Sequence, residues 1–233
     1  MTTSTTSPDL VCIVLPAWNE SQMLSDVLHE IQSAGHRQII VVDDGSRDAT
    51  FTVAQATPGV IALRHRLNRG KGAATKTGIE AAKLLGADII VTMDSDGQHN
   101  PADISRLVEP IQKQHCDVVL GTRLKDFRGM PWHKLLANWV GNAITWYFYG
   151  LWVSDSQSGF RAYSRHASEL INTKTDRYEY DSEVIREIYQ YKLKYQEVPI
   201  EVRYTDYSMG KLHKQGFVNG LKTFYKIVWN LIS

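Results

Sequence analysis

The feature that most constrains this chain is an apolar run that ends in two acids. Residues 89–92 (Ile-Ile-Val-Thr) are followed by Asp94 and Asp96. The run predicts a buried strand, and carboxylates are costly to bury unpaired, so the pair must meet solvent or a cation at the strand's end. Alternation puts both acids on one side of an extended segment, where they can share Mg²⁺ or Mn²⁺. A polar loop is the alternative, because the motif is short.

Length and composition set the protein class. The chain has 233 residues, 43% hydrophobic content and a net charge of +1. These values predict one domain over residues 9–233 and disfavour a nucleic-acid partner. Residues 1–8, rich in Ser and Thr, predict a disordered tail, and no apolar run is long enough to span a membrane. Cys12 and Cys116 lie in apolar runs without metal-type spacing, which favours buried thiols in a reducing compartment.

Strands and helices alternate along the first half of the sequence. Apolar runs predict strands at 10–15, 39–42, 60–63, 87–93, 118–121, 158–163 and 196–204. Helical spacing predicts helices at 20–34, from about 48, at 71–86, from 101, and at 131–152, 179–192 and 216–232. This pattern indicates an α/β fold with a mostly parallel central sheet and helices on both faces.

Polar side chains follow several of the predicted strands. Because parallel strands end at one edge of a sheet, these clusters should converge there, where open α/β sheets bind ligands. The clusters are Asn19 and Glu20, Asp43 and Asp44, and Asp94 and Asp96.

Six segments in order resemble glycosyltransferase family 2, in particular the polyprenyl-phosphate hexose synthases. They are 16–20 (PAWNE), 41–46 (VVDDGS), 68–74 (NRGKGAA), 94–99 (DSDGQH), 121–123 (GTR) and 155–161 (DSQSGFR). The resemblance implies a GT-A fold, a nucleotide-sugar donor, a divalent metal and inversion at the anomeric carbon. It also implies a donor-binding half at 9–123 and an acceptor-binding half at 124–233.

By this resemblance, a set of polar residues binds the donor: Pro16, Asn19, Glu20, Asp43, Asp44, Lys71, Asp94, Asp96 and Lys211. Asp94, Asp96 and Gln98 are expected to hold the metal, whereas His99 is expected to be structural. Other readings stay open. Asn19 suits a helix cap, the Asp-Gly step at 44–45 suits a turn, and residues 68–72 suit either an anion site or a flexible loop. Pro16 is expected to end the first strand.

The resemblance also implies acceptor-side residues: Arg123, Lys134, Asn138, Gln157 and Ser158. Asp96 and Arg123 are the predicted catalytic residues, and Arg suits a phosphate because its planar fork engages two oxygens. Asp155 and Arg161 are open to a purely structural pairing. Glu179, Asp181 and Glu183 suit helix-terminal acids, although in polysaccharide-making relatives an acid in this part of the fold is a general base.

An aromatic segment occupies residues 131–152. It contains Trp132, Trp139, Trp146 and Trp152, the first three at seven-residue spacing, which places them on one helix face. Trp and Tyr favour membrane interfaces, so a helix lying in the headgroup plane is one interpretation. Core packing and an oligomer contact are the others.

These expectations predict a metal-dependent enzyme that moves mannose or glucose, from GDP-mannose or UDP-glucose, to a polyprenyl or dolichyl phosphate. A phosphate monoester is largely dianionic at neutral pH and needs no general base, whereas a saccharide hydroxyl, the alternative acceptor, does. The enzyme is expected in the cytoplasm, peripheral on the cytoplasmic face of a membrane. A nucleotidyltransferase is disfavoured because residues 16–20 lack a Gly-rich basic loop.

Overall fold

A computed structural model describes residues 9–123, 146–147, 150–177 and 179–203. The strands are β1 (Val11–Ala17), β2 (Gln38–Asp43), β3 (Val60–Arg64), β4 (Ile89–Thr92), β5 (Val118–Thr122), β6 (Arg161–Ser164) and β7 (Tyr195–Pro199). The helices are α1 (Leu24–Ser33), α2 (Thr50–Ala56), α3 (Lys71–Leu84), α4 (Ile104–Gln112), α5 (Arg165–Leu170) and α6 (Glu179–Gln190). A 3₁₀ turn, Pro101–Asp103, precedes α4.

The strands form one sheet in the order β3-β2-β1-β4-β6-β5-β7. Every pairing is parallel except those of β6, which runs antiparallel to both β4 and β5. The predicted mostly parallel sheet is therefore confirmed. The chain moves outward from β1 to β2 and β3, then returns to place β4 on the other side of β1. This reversal creates a topological switch point at the carboxyl ends of β1 and β4, the place where open α/β sheets bind ligands.

Helices cover both faces of the sheet, as the sequence predicts. Because side chains alternate along a strand, Ile13 and Leu15 of β1 face the core that contains α1 and α4, whereas Cys12 and Val14 face α3. Helix α3 approaches the sheet closely at Gly78, where a Cβ would lie 2.2 Å from Val14 Cγ1. This close approach fixes the position of α3, whose first residue is Lys71.

The first strand continues through Pro16 rather than ending there. Pro16 and Ala17 keep their parallel register with Val42 and Asp43 of β2. Pairing with β4 stops at Val14, beyond which the Pro16 carbonyl accepts a hydrogen bond from Ser95 Oγ (2.8 Å). The N–H that proline lacks is therefore missing where the β1–β4 ladder has already ended, so the expected strand break does not occur.

Later element bounds also differ from the predictions. The strand predicted at 158–163 begins at Arg161. Before it, the carbonyls of Ser156 and Ser158 accept hydrogen bonds from the Arg161 guanidinium and not from backbone N–H groups of any strand in the described ranges. Helix α5 was not predicted, although Ser164 caps it by accepting from the Ala167 N–H. The helix predicted to reach 152 ends earlier, since Gly150 has φ +77° and donates its N–H to the Trp146 carbonyl, a helix-terminating geometry.

Some predictions lie outside the described residues: the tail at 1–8, the helix over 131–145, the strand end at 204 and the helix at 216–232. Both cysteines are buried free thiols, Cys12 within β1 and Cys116 just before β5. None of the helices in the described part of the chain has the length and apolar character needed to cross a bilayer.

Candidate active site

The loops after β1 and β2 are joined by reciprocal hydrogen bonds. The Asn19 N–H donates to Ser46 Oγ (2.9 Å), and Asn19 Oδ1 accepts from the Arg47 N–H (2.9 Å). The Glu20 N–H donates to Thr50 Oγ1 (2.8 Å). Asn19 has φ +55°, a conformation that Asn tolerates better than most residues. It links the two loops and does not cap α1, which begins after Met23.

Asp43 lies fully buried at the end of β2. Its Oδ1 accepts from the Ser46 N–H (3.0 Å), and its Oδ2 lies 3.0 Å from Arg64 Nε. The half-exposed Arg64 guanidinium also lies over the Phe51 ring, 5.2 Å from its centroid. The predicted turn is present, since Gly45 has φ +69° and a Cβ there would lie 2.8 Å from backbone atoms of Leu67 and Asn68. The donor-binding role of Asp43 stays a prediction.

The Asp44 carboxylate organises the loop before α3. Its Oδ1 accepts from His65 Nδ1 (2.7 Å) and the Arg69 N–H (3.0 Å), and its Oδ2 accepts from the Gly70 N–H (2.7 Å). Asp44 is 2% exposed, so these bonds form away from bulk water. Whatever it contributes to a donor, Asp44 already positions the 68–70 loop through backbone donors.

The start of α3 is covered by protein rather than open to an anion. The Ala73 N–H donates to the Asp176 carbonyl (3.0 Å), while the Arg69 and Gly70 N–H groups bond Asp44. A Cβ on Gly70 would lie 2.5 Å from the same Asp176 carbonyl oxygen. The predicted backbone anion site at 68–72 therefore has two of its donors, the Arg69 and Gly70 N–H groups, committed within the protein, and the neighbouring Ala73 N–H is committed as well. The Lys71 side chain carries the charge that a ligand could meet.

Lys71 connects the acid pair to a second carboxylate. Its Nζ lies 2.7 Å from Asp94 Oδ1 and 3.5 Å from Asp181 Oδ2. Burial lowers the pKa of Lys71, but Asp181 and Asp94 more than offset this, so the net pKa is raised. Burial raises the pKa of Asp94, yet the charge and hydrogen bond of Lys71 reverse the effect and hold it well below its usual value. Both groups are therefore charged at neutral pH.

Gly159 packs directly against the contact between Lys71 and Asp94. A Cβ at position 159 would lie 2.5 Å from Lys71 Nζ and 2.9 Å from Asp94 Oδ1. The Gly159 carbonyl also accepts from Thr92 Oγ1 (2.9 Å), which fixes its backbone beside the end of β4. Any larger residue at position 159 would push the ammonium and the carboxylate out of place.

Asp96 is held by Gln98, and Asp94 by His99. Asp96 accepts from the Gln98 N–H (3.0 Å) and from Gln98 Nε2 (2.7 Å). His99 Nδ1 accepts from the Asp94 N–H (3.3 Å), and the ring stacks on Phe160 at 4.9 Å. Burial lowers the pKa of His99 despite the nearby acids, which matches a neutral ring whose Nδ1 is an acceptor. These contacts are those of a structural residue, and the role expected of His99 stays a prediction.

A bidentate ion pair joins the end of β5 to the segment before β6. Arg123 Nε and Nη2 donate to the two oxygens of Asp155 at 2.6 and 2.7 Å, and the Arg123 N–H donates to Asp155 Oδ2 (3.2 Å). Burial raises the pKa of Asp155, but the hydrogen bonds and charge of Arg123 lower it overall. Asp155 therefore pairs with Arg123 and not with Arg161, the partner considered from sequence. This contact orients the guanidinium.

Arg161 is almost fully buried and donates hydrogen bonds to backbone carbonyls of the 156–158 loop. Its Nε donates to the Ser158 carbonyl (2.8 Å), and its Nη2 donates to the carbonyls of Ser156 (2.9 Å) and Asp181 (3.0 Å). Asp181 Oδ1 lies 3.8 Å from Arg161 Nη2, so the Asp181 carboxylate lies between Arg161 and Lys71. Glu183 faces elsewhere, toward Thr175 (2.6 Å) and Arg186 (2.7 Å).

The predicted acceptor residues are placed unevenly. Ser158 is 2% exposed, and its Oγ has no hydrogen-bond partner among the described residues. Gln157 is exposed and donates to Ser182 Oγ (3.2 Å). Lys134, Asn138 and Lys211 lie outside the described residues.

The donor chemistry of Asp94, Asp96 and Gln98 fits a divalent ion, since all three present the hard oxygens that Mg²⁺ and Mn²⁺ prefer. Asp94 already contacts a cation, because Lys71 Nζ lies 2.7 Å away, and its side chain is 30% exposed. Within the described ranges, no group of three or more His, Cys, Asp or Glu side chains could share a metal.

Sequence reasoning missed several residues of this site. His65 and Asp176 carried no signal, because their partners Asp44 and Ala73 are far away in sequence. For Asp181, the sequence suggests a helix-terminal acid or a base. Its position between Lys71 and Arg161 depends on the packing of α3, β6 and α6 against one another.

Comparisons with known proteins support the resemblance seen in the motifs. The model of the glycosyl transferase family 2 matches residues 12–171. An uncharacterized protein of Methanocaldococcus jannaschii is 41% identical over 96% of this chain and 93% of its own length. A UDP-N-acetylglucosamine–dolichyl-phosphate N-acetylglucosaminyltransferase of Methanococcus voltae is 37% identical over 94% of this chain and 95% of its own length.

More distant matches agree with these, among them an undecaprenyl-phosphate mannosyltransferase of Micrococcus luteus that is 31% identical over 66% of this chain and 65% of its own length. A polyprenol monophosphomannose synthase of Mycolicibacterium smegmatis is 31% identical over 69% of this chain and 63% of its own length. The structure of glucosyl-3-phosphoglycerate synthase from Mycobacterium tuberculosis with Mn²⁺, UDP-glucose and phosphoglyceric acid superposes with a TM-score of 0.67. That match has 20% identity and covers 93% of this chain and 79% of the other, so it shows the GT-A fold alone. The family match and the two relatives that align along nearly the whole chain show that this protein belongs to glycosyltransferase family 2.

Proposed function

We propose that this enzyme transfers a sugar from a nucleotide-sugar donor to a polyprenyl phosphate. The observation that carries the proposal is the state of the acids around the cleft. Asp94 contacts Lys71, Asp155 contacts Arg123, and Asp181 lies between two cations. Each of these three is committed to a positive partner, so none is arranged as the general base that a hydroxyl acceptor requires. A phosphate acceptor brings its own negative charge.

The relatives support the acceptor class and widen the choice of sugar. Three that are named for lipid-phosphate acceptors use dolichyl phosphate, polyprenol phosphate and undecaprenyl phosphate. The one that aligns along nearly the whole chain is named for UDP-N-acetylglucosamine, whereas the other two are named for mannose. We therefore add N-acetylglucosamine to the mannose and glucose expected from the sequence.

In the proposed reaction, each polar group has a defined task. Asp94 and Asp96, with Gln98, would hold Mg²⁺ or Mn²⁺, whose charge stabilises the leaving diphosphate when it is bound. Asp155 fixes the plane of the Arg123 guanidinium through two hydrogen bonds, and the oriented guanidinium would position the acceptor phosphate by its charge. An oxygen of the acceptor phosphate attacks the anomeric carbon from the side opposite the donor diphosphate. The bond between that carbon and the diphosphate breaks as the new bond forms, so the configuration inverts and the nucleoside diphosphate leaves with the electron pair.

A further part of the proposal is contact with a membrane surface. Trp146, Tyr147 and Trp152 expose 52%, 76% and 49% of their surface, and Tyr189 is 56% exposed beside them. Trp146 and Trp152 pack edge to face with centroids 6.3 Å apart, and Gly150 lies against the Tyr189 ring. Aromatic side chains of this kind favour the headgroup region, which fits an enzyme with a lipid acceptor on the cytoplasmic face.

A transfer assay tests the proposal. Purified protein is incubated with Mn²⁺ or Mg²⁺, a polyprenyl phosphate, and UDP-N-acetylglucosamine, GDP-mannose or UDP-glucose in parallel, and the lipid fraction is analysed by mass. We expect a glycosyl-phosphate lipid that disappears when the metal is chelated. The matched acceptor control is the same polyprenol without its phosphate. Donor hydrolysis without a lipid product would overturn the proposal and move a saccharide acceptor to first place.

A further inference from the structure

Lys71 has two anionic partners at different distances. Its Nζ lies 2.7 Å from Asp94 and 3.5 Å from Asp181, and its side chain is 25% exposed. The backbone at this point is fixed, because Asp44 bonds the Gly70 N–H and Asp176 bonds the Ala73 N–H. The side chain can therefore shift from one carboxylate to the other without moving α3.

The four charged groups that are joined by contacts through Lys71 sum to zero, and Asp96, which bonds the neutral Gln98, adds one negative charge nearby. Lys71 and Arg161 are positive, and Asp94 and Asp181 are negative. A divalent ion added beside Asp94 would stand next to an ammonium, which disfavours it at this short range. The negative charges of a nucleoside diphosphate would offset the repulsion between the divalent ion and the Lys71 ammonium.

We infer that Lys71 acts as an internal cation that occupies Asp94 until the donor diphosphate arrives, so that the metal binds weakly alone and tightly with the nucleotide. The inference rests on the metal-dependent transfer proposed above and adds an order of binding to it. When the diphosphate enters, Lys71 shifts toward Asp181 or the phosphates and releases Asp94 to the ion. The coupling is reciprocal, so the metal must strengthen nucleotide binding by the same factor.

Mn²⁺ binding, followed by the electron paramagnetic resonance signal of the free ion, tests this directly and without turnover. Lys71→Met removes the charge, and Lys71→Gln removes it while keeping a hydrogen-bond donor for Asp94. Without nucleotide, we expect both variants to bind Mn²⁺ about tenfold or more tightly than the wild type. Lys71→Arg, which keeps the charge, should bind as weakly as the wild type.

Lys83→Met is the matched control, because it removes the same charge from the same helix, where Lys83 contacts Glu80. It should bind Mn²⁺ as the wild type does. Repeating the titrations with UDP and with GDP should tighten Mn²⁺ binding in the wild type and much less in Lys71→Met. Equal or weaker Mn²⁺ affinity in both uncharged variants would overturn the inference. The metal-only titration uses no acceptor, so its result tests the role of Lys71 whether or not the transfer assay gives a lipid product.

Discussion

Two neighbouring parts of the site neutralise buried acids in different ways. After β2, Asp44 is satisfied by backbone N–H groups and a histidine ring, and Asp43 Oδ1 by a backbone N–H. The half-exposed Arg64 lies beside Asp43 Oδ2 without donating a hydrogen bond to it. Around the end of β4, Asp94 and Asp181 are satisfied by the side-chain cations Lys71 and Arg161. Backbone donors stay fixed when a ligand binds, whereas a long side chain can move. The first region is therefore built to hold a shape, and the second to exchange partners.

The largest expected effect comes from removing a charge in the second region. Asp181→Asn keeps the volume but leaves Lys71 and the buried Arg161 facing each other without their shared counter-ion. Urea denaturation should show a loss of about 3 kcal/mol or more in the free energy of unfolding. Glu179→Gln, in the same turn of α6, is the matched control and should lose less than about 0.5 kcal/mol. Equal losses would show that the cations do not depend on Asp181.

A smaller loss is expected in the first region. Asp44→Asn turns one acceptor oxygen into a donor that faces N–H groups, which should reduce the free energy of unfolding by about 2 kcal/mol. Faster hydrogen exchange at the Arg69 and Gly70 amides would locate the damage in the loop before α3. The exposed Asp26 of α1 offers a control, Asp26→Asn. Unchanged exchange at those two amides would contradict the shape-holding role.

The Asp94–Lys71 contact should affect how the free energy of unfolding falls at acidic pH. The pKa of Asp94 is lowered in the folded protein, so its contribution is complete above the ordinary Asp pKa of about 4 and is lost as the pH falls through the lowered value. Asp94→Asn should therefore make the decline in unfolding free energy below about pH 4 shallower than in the wild type. Urea midpoints across that range provide the measurement, and parallel declines would show that Asp94 contributes nothing there.

The smallest effect is expected at Arg64, whose side chain is 48% exposed beside Asp43. Arg64→Ala should reduce the free energy of unfolding by less than about 1 kcal/mol, because solvent screens the pair. Thermal denaturation at low and high salt measures this, and the difference between wild type and variant should shrink with salt. A loss as large as that of Asp181→Asn would remove the distinction between the two regions.

The sequence predicted the sheet and the gathering of acids at its edge, because apolar runs and strand ends are local signals. Residues 39–42 and 60–63, for example, lie within β2 and β3. It did not predict which cation each acid contacts. Lys71 and Asp181 are 110 residues apart, and Asp155 takes Arg123 rather than Arg161. Such choices depend on how α3, β6 and α6 pack together, and no spacing rule along the chain encodes that.

The antiparallel strand has a consequence for engineering hybrid enzymes. β6 comes from the part of the sequence after residue 123, yet it is inserted between β4 and β5, which both precede that residue. A chimaera joined at residue 123 would therefore exchange a strand from the middle of the sheet and both of its ladders, not a separable module. Recombining the sugar preference of one relative with the acceptor preference of another should succeed only when crossover points keep β4, β5 and β6 from the same parent.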